Sequence, residues 1–260
     1  SIIDYLNASP LNHGFKQGLG NGAFELRFHV PSRCADLLRQ GQVDAGLISS
    51  IEYLRIPGLR IVPGLCISAR RQVRSVLLLS KVPPGRIRSL ALDASSRTSV
   101  VLSQLLLRER YGARPVVEEM KPDLDAMLAA HDAALMIGDT AMRAPKEGLV
   151  VLDLAEAWHG WTGLPFVFAF WAVHQDAPRL PDLAGQFHRS LALGREALPQ
   201  IVAAARASIG WTEAELWTYL TDNLHYALGA PEEQSLALFY DMAVRHGFAD
   251  AVQPIRYLES

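Results

Sequence analysis

The chain has 260 residues, is 50% hydrophobic and carries a formal net charge of −2. This length supports one large or two medium-sized domains with well-filled cores. The near-neutral charge argues against a nucleic-acid or membrane-surface partner, because there is no surplus of basic residues to neutralise phosphate groups. No apolar run in the sequence is long enough to cross a membrane.

The cysteines and histidines give no pattern of metal ligands. Cys34 and Cys66 are far apart in the sequence, and the eight histidines are scattered without a pair at ligand spacing. We therefore predict no metal and a reduced, cytoplasmic chain, with a single disulfide as the alternative. Because the sequence begins at Ser1, a removed signal peptide stays an open alternative.

The first third of the chain alternates short apolar runs with helical segments. A strand predicted over residues 2–6 leads directly into a polar turn, and Pro31 begins a predicted helix that ends before Gly41. Further strands are predicted over residues 24–30, 44–50, 59–62, 66–69 and 73–80. The Pro-Pro-Gly sequence after Val82 interrupts this pattern and indicates the first crossing between two domains.

Strands and helices alternate regularly from Ser89 onward. Strands are predicted over residues 89–93, 114–118, 133–137 and 149–152, and helices over residues 98–111, 122–130 and 155–159. This order is typical of a parallel sheet with right-handed crossovers.

The last third of the chain is predicted to return to the first domain and then to be helical. Residues 165–174 form an apolar strand, and the chain from Pro181 is helical nearly to its end, with a capping box at Thr212. These elements predict an α/β fold of two lobes with mixed or parallel sheets, and C-terminal helices on the first lobe. Residues 1–82 and 168–260 would form the first lobe and residues 83–167 the second, closing on a small ligand by hinge motion.

The turn after the strand 89–93 is a candidate anion-binding site. Ser96, Arg97, Thr98 and Ser99 lie where the first N–H groups of the next helix are unpaired, and such groups bind carboxylates and phosphates. Serine and threonine are also the ordinary N-cap residues, so simple capping is the alternative.

Other polar residues follow strand ends that could face the same cleft. They are Asn7 and Ser9, Ser49, and the pair Gly138 and Asp139, because open α/β sheets build their sites at strand ends. For Ser49 and for Asp139 the alternative is again helix capping. Ser75 lies mid-strand beside the predicted hinge, where an ordinary outward-facing residue is the alternative. The residues alone thus predict a two-lobed binder of a small carboxylated molecule.

Several motifs resemble those of the chorismate dehydratases, enzymes of the futalosine route to menaquinone. Residues 5–11, Tyr-Leu-Asn-Ala-Ser-Pro-Leu, resemble the Tyr-x-Asn-x-x-Pro-Leu signature of that family. Residues 73–76, 95–99 and 137–139 follow in the family's order and spacing, so that the resemblance covers nearly the whole chain. It implies a fold like that of type II periplasmic binding proteins, in a cytoplasmic enzyme without a metal or organic cofactor, for which a homodimer is one option.

The resemblance also implies a reaction and roles for residues. The family removes water from chorismate, a dicarboxylate, to give 3-[(1-carboxyvinyl)oxy]benzoate, and its active-site Asn and Ser correspond to Asn7 and Ser75. Ser80, on the same strand, is the alternative for the serine. Ser9, Ser49, Ser96–Ser99, Gly138 and Asp139 would contact the substrate. Either Asp139 or a carboxylate of the substrate itself would act as the base.

Three other functions are compatible with the same fold class. The sibling 1,4-dihydroxy-6-naphthoate synthase is disfavoured, because its opening Ser-Pro-x-Pro-Asn-Asp-type stretch and histidine base have no counterpart in residues 7–11. A solute-binding protein for a small carboxylate would carry a signal peptide or lipid-attachment cysteine upstream. A transcription-factor effector domain lacks the support of a helix-turn-helix or basic segment.

Overall fold

The computed structural model describes residues 1–20, 22–178 and 180–259. Within these residues the strands are β1 Ile2–Ile3, β2 Phe28–His29, β3 Ala45–Ser49, β4 Leu59–Ile61, β5 Leu65–Ala69, β6 Val76–Ser80, β7 Ser89–Asp93, β8 Val116–Met120, β9 Ala133–Ile137, β10 Val150–Asp153, β11 Phe166–His174 and β12 His225–Ala227. The α-helices are α1 Ser9–Lys16, α2 Pro31–Arg39, α3 Glu52–Arg55, α4 Thr98–Glu109, α5 Leu124–Ala130, α6 Gly138–Arg143, α7 Leu154–Thr162, α8 Leu183–Glu196, α9 Leu198–Ile209, α10 Glu213–Thr218 and α11 Ala230–Arg245.

The first lobe is built on the sheet of order β12-β5-β11-β3, in which β4 also pairs with β11. All of these pairs are antiparallel. The central strand β11 is buried over every residue except its last, because its run of Phe, Val, Ala and Trp side chains is covered on both faces. The short parallel pair β1 and β2 lies beside this sheet, where Leu47 N–H donates to Ser1 O at 3.1 Å.

The second lobe is built on the sheet of order β10-β6-β9-β7-β8. Strands β8, β7 and β9 are parallel, which confirms the parallel sheet predicted from the alternation of strands and helices. Strands β6 and β10 are antiparallel to their neighbours, so the sheet is mixed. The fourth predicted strand, 149–152, is present as β10, but the parallel orientation holds only for β8, β7 and β9, which crossover helices join.

The first crossing between the lobes lies earlier than the sequence predicts. The expected boundary at residue 82 assigns β6 to the first lobe, whereas β6 pairs with β9 and β10 in the second sheet. The strongest local break, Pro83-Pro84-Gly85, leads into the short 3-10 turn Pro84–Arg86, which connects β6 and β7 of the second sheet. We propose that the lobes divide just before β6 and just before β11.

The C-terminal region packs on the first lobe through α8, which lies against α1, and through β12, which pairs with β5. The predicted capping box is present, with Thr212 N–H donating to Glu215 Oε2 at 3.0 Å. The strand β12 and a π-helical turn, Tyr219–Asn223, interrupt what the sequence predicts as continuous helix. No helix in the described residues is long and apolar enough to cross a membrane.

Candidate active site

The candidate site lies at the point where the second sheet reverses its strand order. The chain runs from β7 outward to β8 and then returns to the other side of β7 as β9. The turns that follow β7 and β9 therefore diverge and leave a crevice at the carboxyl ends of the strands, where open α/β sheets bind ligands. The first lobe covers this crevice.

A small cavity of about 50 Å³ occupies the crevice between the lobes. Six predicted site residues contribute to its wall: Asn7, Ser49, Ser96, Thr98, Ser99 and Gly138. The rest of the wall is mainly apolar, formed by Ile3, Tyr5, Pro31, Ile67, Val76, Ile137, Phe168 and Ala169. The cavity thus combines hydroxyl and amide groups with a shape-defining apolar surface, as small-molecule sites usually do.

A larger cavity of about 220 Å³ lies elsewhere in the first lobe, against Phe15, Trp171 and Phe187. None of the predicted site residues contributes to its wall. Size alone does not identify the reactive site, and we place the site where the polar groups converge.

Asn7 presents an unsatisfied polar atom at this site. It lies in the 3-10 turn Leu6–Ala8, and its buried Oδ1 has no hydrogen-bond partner among the described residues. Its backbone carbonyl accepts a hydrogen bond from Tyr226 Oη at 3.0 Å. A buried carbonyl oxygen without a partner is unfavourable by about 1–3 kcal/mol, and its place in a cavity wall makes this oxygen available to a ligand that donates a hydrogen bond.

Ser75 is fully buried next to the wall residues Val76 and Gly138 and does not itself contribute to the wall. Its Oγ accepts a hydrogen bond from Tyr219 Oη at 2.8 Å, and its carbonyl accepts one from Gly138 N–H at 2.8 Å. Ser80, the alternative serine, lies at the far end of β6, where its Oγ donates to Val82 O at 2.7 Å. The structure thus puts Ser75 beside the site and uses Ser80 to close a turn.

The start of α4 is not capped by a side chain. Arg97 occupies the N-cap position and makes no capping hydrogen bond, so the capping alternative for Ser96–Ser99 is not what the structure contains. Ser96, Thr98 and Ser99 line the cavity, whereas Arg97 lies outside its wall, with Nη2 at 3.8 Å from Asp36 Oδ2 of the first lobe.

Thr98 also joins the two lobes. Its Oγ1 accepts a hydrogen bond from Ile51 N–H at 3.1 Å and lies 3.2 Å from Ser50 Oγ. No side chain caps α3 either, so Ser49 is not the cap that the alternative proposes and instead lines the cavity. Ser9 lies outside the cavity wall, and its Oγ donates to Tyr5 O at 3.4 Å.

Gly138 and Asp139 begin α6 and contact the first lobe. Gly138 has a φ of +59°, and a Cβ at this position would lie 2.8 Å from Tyr5 Cδ2, so only glycine lets the Tyr5 ring pack here. Asp139 does not cap its helix. Its Oδ1 accepts a hydrogen bond from Leu6 N–H at 3.0 Å, and burial raises its pKa although this bond opposes the shift.

Tyr5, Ser95 and Asp93 form a partly buried polar chain, and none of the three was predicted as a site residue. Tyr5 lines the cavity, with Oη at 3.4 Å from Ser95 Oγ, which donates to Asp93 Oδ1 at 2.6 Å. Burial raises the pKa of Tyr5 and of Asp93. Tyr5 could have been predicted from the sequence, because it lies two residues before Asn7 in the same motif. Asp93 gives no such signal, because in the sequence it is an ordinary residue at the end of a strand.

No group of three or more His, Cys, Asp or Glu side chains in residues 1–20, 22–178 and 180–259 could hold a metal ion. Cys34 and Cys66 are both buried and free. The groups that the cavity offers are therefore hydroxyls, one side-chain amide and the N–H groups of α4, which suit a substrate that carries carboxylates and hydroxyls.

Comparisons with known proteins identify the family of the chain. The chain matches the family model described as menaquinone biosynthesis over residues 1–245. It is 31% identical over 253 residues to the chorismate dehydratase of Thermus thermophilus, covering 90% of this chain and 91% of that protein. It is also 33% identical over 172 residues to the chorismate dehydratase of Campylobacter jejuni, covering 64% and 63% of the two chains.

The fold is shared with proteins of a different activity. The periplasmic aliphatic sulphonate binding protein of Escherichia coli superposes with a TM-score of 0.62 at 14% identity, covering 100% of this chain and 92% of that one. This likeness confirms the predicted periplasmic-binding-protein-like fold and says nothing of the ligand. The family model and the relative matched over nine-tenths of the chain are the specific findings, and the chain belongs to the menaquinone biosynthesis family of enzymes that includes the chorismate dehydratases.

Proposed function

We propose that this chain is a hydro-lyase that removes water from chorismate and releases 3-[(1-carboxyvinyl)oxy]benzoate. The observation that carries the proposal is the buried, unpaired Oδ1 of Asn7 in the wall of the cavity between the lobes. In a chain of this family, an orphaned acceptor at the position of the signature asparagine matches a substrate that offers a hydroxyl proton. The C4 hydroxyl of chorismate is such a donor.

The rest of the cavity supports a role in holding the substrate. The uncapped start of α4 has free N–H donors and partial positive charge, which suit a carboxylate of chorismate. Ser49, Ser96 and Ser99 add hydroxyl donors around it. The ring would lie against the apolar side chains of Ile67, Val76 and Phe168.

The reaction asks little of the protein beyond orientation. The C3–H bond breaks, its electron pair forms the new ring double bond, and the C4–O bond breaks with loss of hydroxide, which leaves as water with the proton. The gain of aromaticity drives the step. Asn7 would accept the C4 hydroxyl proton as a hydrogen bond and so orient the leaving group, and Ser75 would donate to the departing oxygen or to a neighbouring carboxylate.

We propose that a carboxylate of the substrate, and not Asp139, takes the C3 proton. Asp139 Oδ1 already accepts a hydrogen bond from Leu6 N–H at 3.0 Å. Asp93 Oδ1 likewise accepts from both the N–H and the Oγ of Ser95. Each carboxylate thus has an oxygen held by protein donors, whereas the substrate's own carboxylate is close to its ring.

The deciding experiment mixes the purified chain with chorismate in the absence of metals and cofactors. Loss of chorismate and appearance of the benzoate, followed by chromatography and mass spectrometry, are the expected result. Asn7→Ala protein from the same purification controls for contaminating enzymes. If wild-type protein gives no product, the proposed function is wrong.

We extend the proposal to a cytoplasmic enzyme that needs no added cofactor. Support comes from the two free cysteines, which are typical of a reducing compartment, and from relatives that belong to a biosynthetic family. A homodimer is part of the same proposal, and sedimentation of the purified chain measures it.

A further inference from the structure

We infer that Tyr219 is a positioning residue that fixes the Ser75 hydroxyl so that its proton is available to the substrate. This inference rests on the proposed function and assigns part of that function to the C-terminal region. Tyr219 lies more than 140 residues from Ser75 in the sequence, at the first position of the π-helical turn Tyr219–Asn223. Its ring is fully buried, and its Oη lies 2.8 Å from Ser75 Oγ.

The Tyr219 phenol is the donor of this hydrogen bond, and Ser75 Oγ is its acceptor. Burial and the nearby Asp139 and Asp153 raise the pKa of Tyr219, which keeps the phenol protonated and able to donate. Ser75 Oγ accepts this bond, and among the described residues its own proton has no acceptor. A serine hydroxyl that accepts one bond keeps its O–H free to donate elsewhere.

The surroundings hold both partners of this bond in place. Asp153 accepts hydrogen bonds from Val73 N–H at 3.0 Å and from Arg74 N–H at 2.7 Å, which fixes the backbone entering Ser75. Arg74 has a φ of +60°, a conformation that a non-glycine residue keeps only when its surroundings enforce it.

The ring of Tyr219 is held on its other side by an aromatic contact. It packs edge-on against Trp211 at 5.8 Å between ring centroids, and Arg74 lies over the Trp211 ring at 4.0 Å. With the backbone at residues 73–75 and the Tyr219 ring both fixed, the phenol hydroxyl decides the orientation of the Ser75 side chain.

The same segment of chain also reaches the other proposed catalytic residue. Seven residues after Tyr219, in β12, Tyr226 donates its hydroxyl to the carbonyl of Asn7 at 3.0 Å. The π-helical turn changes the direction of the chain between α10 and β12, so that both phenols point toward the site. Single π turns of this kind are frequent at functional sites.

The test is a kinetic double-mutant cycle with Tyr219→Phe, Ser75→Ala and the double variant. Tyr219→Phe keeps the ring and its packing on Trp211 while it removes the donor. We expect kcat for chorismate to fall at least ~10-fold with KM changed less than ~3-fold, because the loss affects the reaction step rather than binding. The double variant should be no slower than Ser75→Ala, since Tyr219 acts only through Ser75.

Tyr53→Phe is the matched control. Tyr53 is also a buried tyrosine, and its Oη donates to Pro254 O at 2.9 Å, away from the cavity. This variant should lose stability in thermal unfolding and keep wild-type kcat, which separates loss of a buried phenol from loss of Ser75 orientation.

Three outcomes separate failure of the positioning role from failure of the proposed function. Wild-type kcat in Tyr219→Phe overturns the positioning role and leaves the proposed function intact. Losses that multiply in the double variant also overturn it, because they show that Tyr219 acts independently of Ser75. A wild-type chain that leaves chorismate unchanged overturns the proposed function and the positioning role together.

Discussion

Residues at the candidate site differ in whether their polar side-chain atoms already have hydrogen-bond partners within the protein. Oxygen atoms of Thr98 and Asp139 accept hydrogen bonds between the lobes, whereas the buried Oδ1 of Asn7 has no partner among the described residues. A satisfied side chain stabilises the closed arrangement, and an unsatisfied one is available to a ligand. This distinction separates residues that build the cavity from residues that we expect to act on substrate.

Asn7→Ala should lower turnover of chorismate at least ~10-fold, which corresponds to about 1.4 kcal/mol of transition-state stabilisation. The reason is that alanine removes a buried acceptor in the cavity wall that has no partner among the described residues. Steady-state kinetics measure the effect, with thermal unfolding to confirm that the variant is folded. Turnover equal to that of the wild type would remove Asn7 from the mechanism.

Asp93 should make stability depend on pH. Burial raises its pKa above the ordinary 3.8 although Ser95 donates to it. The folded state therefore keeps a proton that the unfolded state has released, so the free energy of unfolding falls as pH rises from about 4 through the folded-state pKa. In Asp93→Asn this contribution is absent, and its stability relative to wild type should increase across that range.

Urea unfolding of wild type and Asp93→Asn at several pH values between about 4 and 7 measures this difference. Because other buried carboxyls, such as Asp139 and Asp153, titrate in both proteins, only the difference reports on Asp93. A stability difference that stays constant over this range would contradict the raised pKa.

At the scale of elements, the site depends on how α6 begins. The helix follows β9 through Gly138, whose positive φ and missing Cβ let the Tyr5 ring of the first lobe pack against it. Tyr5 in turn lines the cavity beside Asn7. One glycine at a strand-to-helix junction thus fixes the contact between two elements that are more than 130 residues apart in sequence.

Gly138→Ala should lower kcat/KM at least ~10-fold, because the new Cβ would lie 2.8 Å from Tyr5 Cδ2 and displace that ring. Gly163→Ala is the matched control, since Gly163 has a similar φ of +74° and nothing within 4 Å of its would-be Cβ. In both variants the free energy of unfolding should fall by about 1–2 kcal/mol, because alanine at a positive φ strains the backbone. Equal activity in the two would show that Tyr5 does not need its present position.

The whole molecule is a pair of lobes that share an apolar core and are also joined by polar contacts around the cavity. Besides Thr98, these contacts include Ser32 N–H to Ser95 O at 3.1 Å and Leu6 N–H to Asp139 Oδ1 at 3.0 Å. Away from the cavity, Trp158 Nε1 donates to Ser235 Oγ at 3.0 Å and joins α7 to α11. A substrate enclosed by this arrangement must enter when the lobes separate.

Variants of Asp139 test whether this residue holds the lobes closed or acts as the catalytic base. Asp139→Asn keeps an oxygen that accepts from Leu6 N–H, so we expect both kcat and KM to change less than ~3-fold. Asp139→Ala loses a bond worth about 1 kcal/mol to the closed state, and KM should rise about 5-fold. A kcat loss above ~100-fold in Asp139→Asn would identify Asp139 as the base.

Local sequence patterns determined the bounds of several elements and the family resemblance of this protein. Strands β7 and β9 have the predicted bounds, because each is a short apolar run between clear turn signals. The capping box at Thr212 is present because it depends only on residues three apart. The resemblance around Asn7 likewise indicated the family from sequence alone, and three hydroxyl residues at the start of α4 line the cavity.

Only the tertiary structure decided which residues meet. Sheet membership placed β6 in the second lobe, because strand pairing is a long-range choice that the local break after residue 82 does not control. The unpaired Oδ1 of Asn7, the chain from Tyr5 to Asp93, and the bond from Tyr219 to Ser75 join residues distant in sequence. Sequence periodicity predicts which residues are buried, but the partner that satisfies each buried polar group is determined by packing between elements.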